Sequence, residues 1–319
     1  MQRHPFFPYS AMIPKVMATA VLAVMLSGCT TSPVKTEERK GYYVEHAFNA
    51  IGQNDRVRFL VMHYTALDDS RSLKTLTQDQ VSAHYLIPQE PKSIKGEPVV
   101  LQLVDESRRA WHAGISNWNG RSNLNDTSIG IEIVNPGYTD DMLGDRTWYP
   151  YNEKQIAAVA LLAKDIIDRY QIAPDNVVGH SDIAPLRKQD PGKLFPWARL
   201  AAIGIGAWPD QSTVSKYLAG RSPYAPGDIS VIQALLKQYG YDQIPQNGIL
   251  DDSTRKTIAA FQMHFRSADI RGNADAETEA IARALNEKYR SSAAPATTDR
   301  KKLMLAGVNK VDKIRFIAD

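Results

Sequence analysis

Strand signals and helix signals alternate between residues 41 and about 210, and three helical patterns with no convincing strand occupy residues 228–290. A stretch dense in proline and glycine separates the two regions. Alternating elements predict a mixed α/β fold, a β-sheet flanked by helices. The run of helices predicts a second, small all-α domain of three helices.

The strands follow from pattern. Arg58–Tyr64 is a short run rich in β formers whose two alternating faces are both apolar, as in a buried strand. Ser82–Ile87 and Val99–Val104 read as two more strands, with the polar, proline-bounded segment Pro88–Pro98 as a loop between them. In Ser128–Val134, Ile129, Ile131 and Ile133 share one face; Gly130, Glu132 and Val134 share the other. Asn152–Tyr170 is the clearest helix. Ile156, Val159, Ala160, Ala163, Ile166, Ile167 and Tyr170 recur on one stripe, and Asn152 with Gln155 suits a capping box. Pro174 stops this helix, and Asn176–His180 reads as the next strand.

Residues 208–228 hold Pro209, Gly220, Pro223, Pro226 and Gly227, a density of breakers that marks a boundary, with the linker at 211–227. Beyond it, Asp228–Tyr239, Ser253–Phe265 and Ala276–Tyr289 each carry an apolar stripe. A small repeat runs through this region. Gly248, Asp251 and Thr254 stand at the same offsets as Gly272, Asp275 and Thr278, which predicts two left-handed glycine turns each followed by an aspartate N-cap. Residues 291–319 read as a poorly ordered tail.

The formal net charge of +3 is too small to argue for nucleic-acid binding, and none is expected. One cysteine permits no intramolecular disulfide and no all-thiolate metal site. Any metal must be held by histidine and carboxylate. Arg3 and Lys15 lead into an apolar stretch from Val16 to Leu26 that is shorter than the roughly 20 residues a membrane-spanning helix needs. Basic, then apolar, then small residues read as a secretory signal over 1–28. Leu26-Ser27-Gly28-Cys29 resembles a bacterial lipobox, which makes Cys29 the expected site of acylation and a membrane anchor without a transmembrane helix. Thr30 follows, not Asp, and the resemblance to Gram-negative lipoproteins then implies the outer membrane, facing the periplasm. Residues 29–40 read as a tether and 41–210 as the mixed α/β domain.

Three residues can build a hydrolytic metal site. His63 and His180 lie at strand ends, where ligands gather in open α/β sheets, and Asp190 sits in the loop after His180. Two imidazoles and one carboxylate leave a zinc ion an open fourth position. The plainer alternative is a pair of hydrogen-bonded structural histidines. Glu132 projects from a central strand on the side of Gly130, either as an ion-pair partner or as a general base. Lys188 is either a solvated loop lysine or a cation for an oxyanion.

These residues lie in a series of motifs. Phe59–Ala66 with His63, Ser82–Ile87, Trp111-His112-Ala113-Gly114, Leu124-Asn125, Ser128–Ile133, Gly179–Asp182 and Lys188–Gly192 occur in order between Arg58 and Trp197. Together they resemble zinc N-acetylmuramoyl-L-alanine amidases of the type-2 amidase and peptidoglycan recognition protein superfamily. The region 228–289 with Phe261-Gln262 resembles a peptidoglycan-binding module. The resemblance implies a hydrolase that cuts the amide between the lactyl group of N-acetylmuramic acid and L-alanine. It implies His63, His180 and Asp190 as Zn2+ ligands, Glu132 and Lys188 as catalytic partners, and peptidoglycan or muropeptides as substrate. Some relatives use Cys as third ligand, where Asp190 stands here; some carry a catalytic Tyr where this chain has Ala83. That departure places the base role on Glu132.

The other candidates are weaker. His84 reads as a satisfied core group. His112 reads equally as a substrate contact or a structural hydrogen-bonding group. Trp118 in a polar-aromatic loop suits sugar stacking or plain packing, and Asn135 is a stem-peptide contact or a turn residue before Pro136. The rival functions are a non-catalytic peptidoglycan-binding lipoprotein and a serine hydrolase using His180 and Asp182. The latter lacks a G-x-S-x-G elbow. No protein partner is inferable.

Overall fold

The structure, a computed structural model, describes residues 36–291. The expectations for the signal segment, Cys29 and the tail beyond residue 291 lie outside the described residues. Two compact units divide the chain, one ending at Gln53 and the other beginning at Asn54. In the first, β1 (Thr36–Arg39) pairs antiparallel with β2 (Tyr42–Glu45). The end of the expected tether is thus a strand: the turn at Lys40-Gly41 folds it onto a partner rich in tyrosine and valine.

The second unit runs in order β3 (Phe59–Tyr64), α1 (Asp69–Leu76), β4 (Tyr85–Ile87), β5 (Ser93–Ile94), β6 (Glu97–Pro98) and β7 (Leu101–Gln102). It continues through β8 (Asn117–Trp118), β9 (Arg121–Ser122), β10 (Ser128–Ile133), β11 (Tyr138–Asp140) and β12 (Arg146–Trp148). Helix α2 (Glu153–Tyr170) leads to β13 (Val177–Gly179) and α3 (His180–Ile183). The remainder is helical: α4 (Trp197–Ala201), α5 (Gln211–Leu218), α6 (Ile229–Tyr239), α7 (Asp252–Phe265) and α8 (Ala276–Tyr289).

The main sheet has the order β13-β3-β10-β4-β7. Its first four strands are parallel and β7 is an antiparallel edge. The segment expected as a loop over Pro88–Pro98 carries the short β5–β6 hairpin. Helix α2 forms because its apolar stripe has somewhere to go. Asn152 and Gln155 make the capping box at its start. Ile156, Val159, Ala163, Ile166 and Ile167 then pack with Leu60, Met62, Ile129, Ile131, Ile133 and Val177 on one face of the sheet.

The opposite face carries a second core. Phe59, Val61, Val178 and Trp118 cluster with Ile232, Leu236, Tyr239, Tyr241, Phe261 and Phe265 of the helical region. The helical residues therefore do not form a core of their own; they cover the sheet face that α2 leaves bare. The duplicated turn takes its expected form. Gly248 and Gly272 have φ of +71° and +74°, and Asp251 and Asp275 accept from the backbone N–H of Thr254 and Thr278.

The expected linker over 211–227 is not extended. Helix α5 occupies Gln211–Leu218 and packs on α8. Pro209 precedes this helix and Gly220 follows it, so the breakers bracket the helix rather than interrupt it.

Trp118 shows how deep the junction between sheet and helices is. It is 1% exposed, donates from Nε1 to the Asp175 carbonyl at 3.0 Å, and meets the Tyr239 and Tyr241 rings edge-on. Its environment is apolar packing, not a sugar-stacking surface. Trp118→Ala is expected to destabilise the fold by about 3–5 kcal/mol, read from urea unfolding; a change below about 1 kcal/mol would show the junction to be loosely packed.

Candidate metal centre and active site

In the parallel pairing of β3 with β10, His63 stands directly across from Glu132. Neighbours across a ladder point to the same face, so the imidazole and the carboxylate emerge side by side near the carboxyl ends of the strands. His180 follows β13, which flanks β3 on its other side. The loop returning from α3 is tied down by the Ser181 N–H donating to the Asp190 carbonyl at 2.8 Å. That bond brings Asp190 back against the strand ends.

Three atoms meet there. His63 Nδ1 lies 3.0 Å from His180 Nδ1 and 2.9 Å from Asp190 Oδ2, and His180 Nδ1 lies 3.0 Å from the same oxygen. All three residues are buried. Among the described residues this is the one group of His, Cys, Asp or Glu with such convergence. Donors around a tetrahedral zinc with bonds of about 2.0–2.1 Å stand roughly 3.3 Å apart, close to the spacing seen. The outer contacts agree. His180 Nε2 faces the Ala113 carbonyl at 3.1 Å. A carbonyl only accepts, so Nε2 carries the proton and Nδ1 turns a lone pair inward. The residues fit a divalent cation, and imidazole with carboxylate is a donor set suited to zinc.

The charges nearby are shifted as such a site requires. Burial and the neighbouring His180 pull His63 down to about 4, against the opposing pull of Asp190. Burial alone would raise the Asp190 carboxyl, but the two imidazoles hold it below the usual carboxylate range. Glu132 is pushed up to about 8 by burial and by the charge of Asp190, with Lys188 acting the other way. Its Oε2 is shielded from solvent and has no hydrogen-bond partner among the described residues. A carboxylate in that state is poised to take and return a proton.

Glu132, His180, Lys188, Asp190 and His112 line a cleft of about 440 Å³, a volume ordinary for a small-molecule site. The remaining sequence candidates fare differently. His112 reaches the cleft, but its ring nitrogens contact His63 and Ser128, which makes it a support for the His63 ring. Asn135 is buried; it donates to the Tyr149 and Pro150 carbonyls and accepts from the Gly137 N–H, so it organises its own turn and does not line the cleft. His84 is satisfied in the core, accepting from the Gly130 N–H and facing the Arg108 carbonyl.

Other residues carry more than the sequence signalled. Trp111, 49% exposed, is the indole that lines the cleft. Arg187 donates to the Ala113 and Ile115 carbonyls and so clamps the loop bearing His112. No local pattern distinguishes it from any loop arginine. Asp182 accepts from Tyr241 at 2.6 Å and the Gly179 N–H at 2.7 Å, and pairs with His264 at 2.7 Å. Its oxygens are committed away from His180, which removes the serine-hydrolase pairing.

An α/β sheet with such a donor cluster at its strand ends is the arrangement on which metal-dependent hydrolases are built, and the class it points to is a hydrolase. Comparison with known proteins narrows it. The family model described as N-acetylmuramoyl-L-alanine amidase matches residues 53–193, and that of a putative peptidoglycan binding domain matches residues 226–281. The chain is 51% identical over 267 residues to the N-acetylmuramoyl-L-alanine amidase AmiD of Escherichia coli (strain K12), covering 84% of this chain and 95% of that protein. It therefore belongs to the N-acetylmuramoyl-L-alanine amidase family. A solved complex of E. coli AmiD with the substrate anhydro-N-acetylmuramic acid-L-Ala-D-gamma-Glu-L-Lys matches with a TM-score of 0.76 at 52% identity, over 80% of this chain and 98% of that one. AmpDH3 from Pseudomonas aeruginosa, in complex with anhydromuramic pentapeptide, matches with a TM-score of 0.68 at 45% identity, over 80% and 98%.

The raised Glu132 carboxyl has a consequence for stability. Between its ordinary value of 4.5 and about 8, the metal-free folded protein holds a proton that the unfolded chain releases. Folded protein then binds more protons than unfolded, so stability falls as pH rises through that window and levels off above it. Metal-free Glu132→Gln, neutral throughout, is expected to lose this slope and to exceed wild type at pH 8 by about 2–4 kcal/mol. Parallel urea-melt stabilities of the two proteins from pH 5 to 8 would show that the carboxyl is not buried as described.

Proposed function

We propose that this chain hydrolyses the amide between the lactyl group of N-acetylmuramic acid and L-alanine of the peptidoglycan stem peptide, with zinc held by His63, His180 and Asp190. The observation that carries the reading is the convergence of those three donors at a cleft lined by His180, Asp190 and Glu132, whose Oε2 has no hydrogen-bond partner among the described residues. Family membership, and the muramyl peptides named in the solved complexes of its relatives, support the substrate class.

A bound zinc supplies Lewis acidity for the scissile carbonyl and for the attacking water. Glu132 takes a proton from that water as its oxygen bonds to the carbonyl carbon. Lys188, on the cleft wall, offsets the negative charge that grows on the carbonyl oxygen. As the C–N bond breaks, Glu132 returns the proton to the leaving nitrogen. The products are a lactyl carboxylate and the free amine of L-alanine. Trp111, Val81 and Leu186 give the mouth of the cleft an exposed apolar edge for the sugar. The helical region, which matches a peptidoglycan-binding family, holds the enzyme on its polymer and raises the local substrate concentration.

The location follows from the amino terminus. Cys29 carries lipid, and the protein faces the periplasm from the outer membrane. This reading rests on the Leu-Ser-Gly-Cys motif and on Thr30. Labelling with a fatty-acid analogue is expected to vanish in Cys29→Ser; undiminished label in that variant refutes the anchor.

Muropeptides incubated with the protein and resolved by mass should yield free stem peptide, and a chelator should stop the reaction. Glu132→Gln should keep its zinc and lose about 10²–10⁴-fold in kcat. Wall binding without any cleavage would favour a non-catalytic lipoprotein instead.

A further inference from the structure

The ligand His63 stands at the end of a buried ladder of hydrogen bonds. Its Nε2 lies 3.0 Å from His112 Nδ1. On the far side of that ring, His112 Nε2 lies 3.1 Å from Ser128 Oγ. Ser128 Oγ in turn lies 2.7 Å from the Leu124 carbonyl oxygen. His63, His112 and Ser128 are all buried. Room for the middle ring comes from Gly130, where an added Cβ would lie 2.5 Å from the His112 ring.

Each neutral imidazole has one proton for two nitrogens, and the hydroxyl has one proton. The ladder therefore has two self-consistent states. In one, Ser128 donates to the Leu124 carbonyl, His112 donates from Nε2 to Ser128, and His63 donates from Nε2 to His112. His63 Nδ1 is then a lone pair aimed at the triad. In the other, every proton is moved: Ser128 donates to His112, His112 donates from Nδ1 to His63, and His63 Nδ1 carries a proton that points at Asp190 Oδ2, 2.9 Å away. That proton occupies the place a cation needs. The second state also leaves two acceptor oxygens, Ser128 Oγ and Leu124 O, 2.7 Å apart with no proton between them.

We propose that Ser128 and His112 are positioning residues that hold His63 in its metal-accepting tautomer, with the Leu124 carbonyl setting the direction of the ladder. Neither residue belongs to the ligand triad; both act through His63. The proposal rests on the reading of His63, His180 and Asp190 as the metal site.

Zinc affinity by chelator competition and imidazole tautomers by nitrogen-15 NMR test it, on the purified protein described here. Ser128→Ala is expected to keep its circular dichroism and bind zinc about 10–100-fold more weakly. Its zinc-free spectrum should show His112 protonated on Nδ1 more often than wild type does. Ser128→Thr, which retains the hydroxyl, should restore most of the affinity. Unchanged affinity and tautomers in Ser128→Ala would overturn the proposal, as would equal losses in the alanine and threonine variants. If the alanine variant does not fold, the zinc-loaded wild-type spectrum decides: a proton on His112 Nδ1 there refutes the ladder, and one on Nε2 supports it. A wild-type protein that binds no zinc would instead refute the metal site itself.

Discussion

Two imidazole nitrogens and a carboxylate oxygen, buried and about 3 Å apart, form the contact on which the rest of this structure depends. Lone pairs placed so close in a poorly polarisable interior repel one another unless a cation or a proton lies between them. The fold pushes them together all the same. Three adjacent parallel strands deliver His63, Glu132 and the start of α3 to one end of the sheet, and a backbone hydrogen bond folds the Asp190 loop back onto it. The resulting electrostatic tension is the site's capacity to hold a metal.

Rigid walls make that tension usable. Helix α2 seals one face of the sheet with aliphatic side chains, and the helical region seals the other with aromatic ones. The second seal reaches the chemistry. Tyr241 and His264, both from the helical region, bind the Asp182 carboxylate that also accepts the Gly179 N–H, one residue before His180. A region that reads as a separate binding module is thus part of the support for His180. The shared core also explains why Trp118, written into a polar loop, is one of the least exposed side chains of the chain.

Much of the fold was legible in the residues. The helices α2, α6, α7 and α8 and the strands β3 and β10 follow from apolar spacing, because helix and strand periods are local properties of the chain. The two glycine–aspartate turns were legible for the same reason, since φ at a glycine and an N-cap carboxylate three residues from the N–H that donates to it need no distant partner. For Trp118, Asn135 and His112 the sequence leaves a substrate contact and a structural role both open, and the structure places all three in structural roles. Their roles are set by what lies across the fold: Tyr239 and Tyr241 for the indole, the Tyr149 and Pro150 carbonyls for the amide, His63 and Ser128 for the ring.

The sequence by itself determined the strongly periodic elements, β3, β10, α2, α6, α7 and α8, and which side chains have the chemistry to bind a cation or move a proton. Only the tertiary structure decided that residues 117 positions apart touch, that Glu132 stands in register with His63, and that one tryptophan is buried while another lines the cleft. The reason is physical: periodicity and capping act over a few residues, whereas burial and ligand geometry depend on surfaces that meet only after the chain has closed.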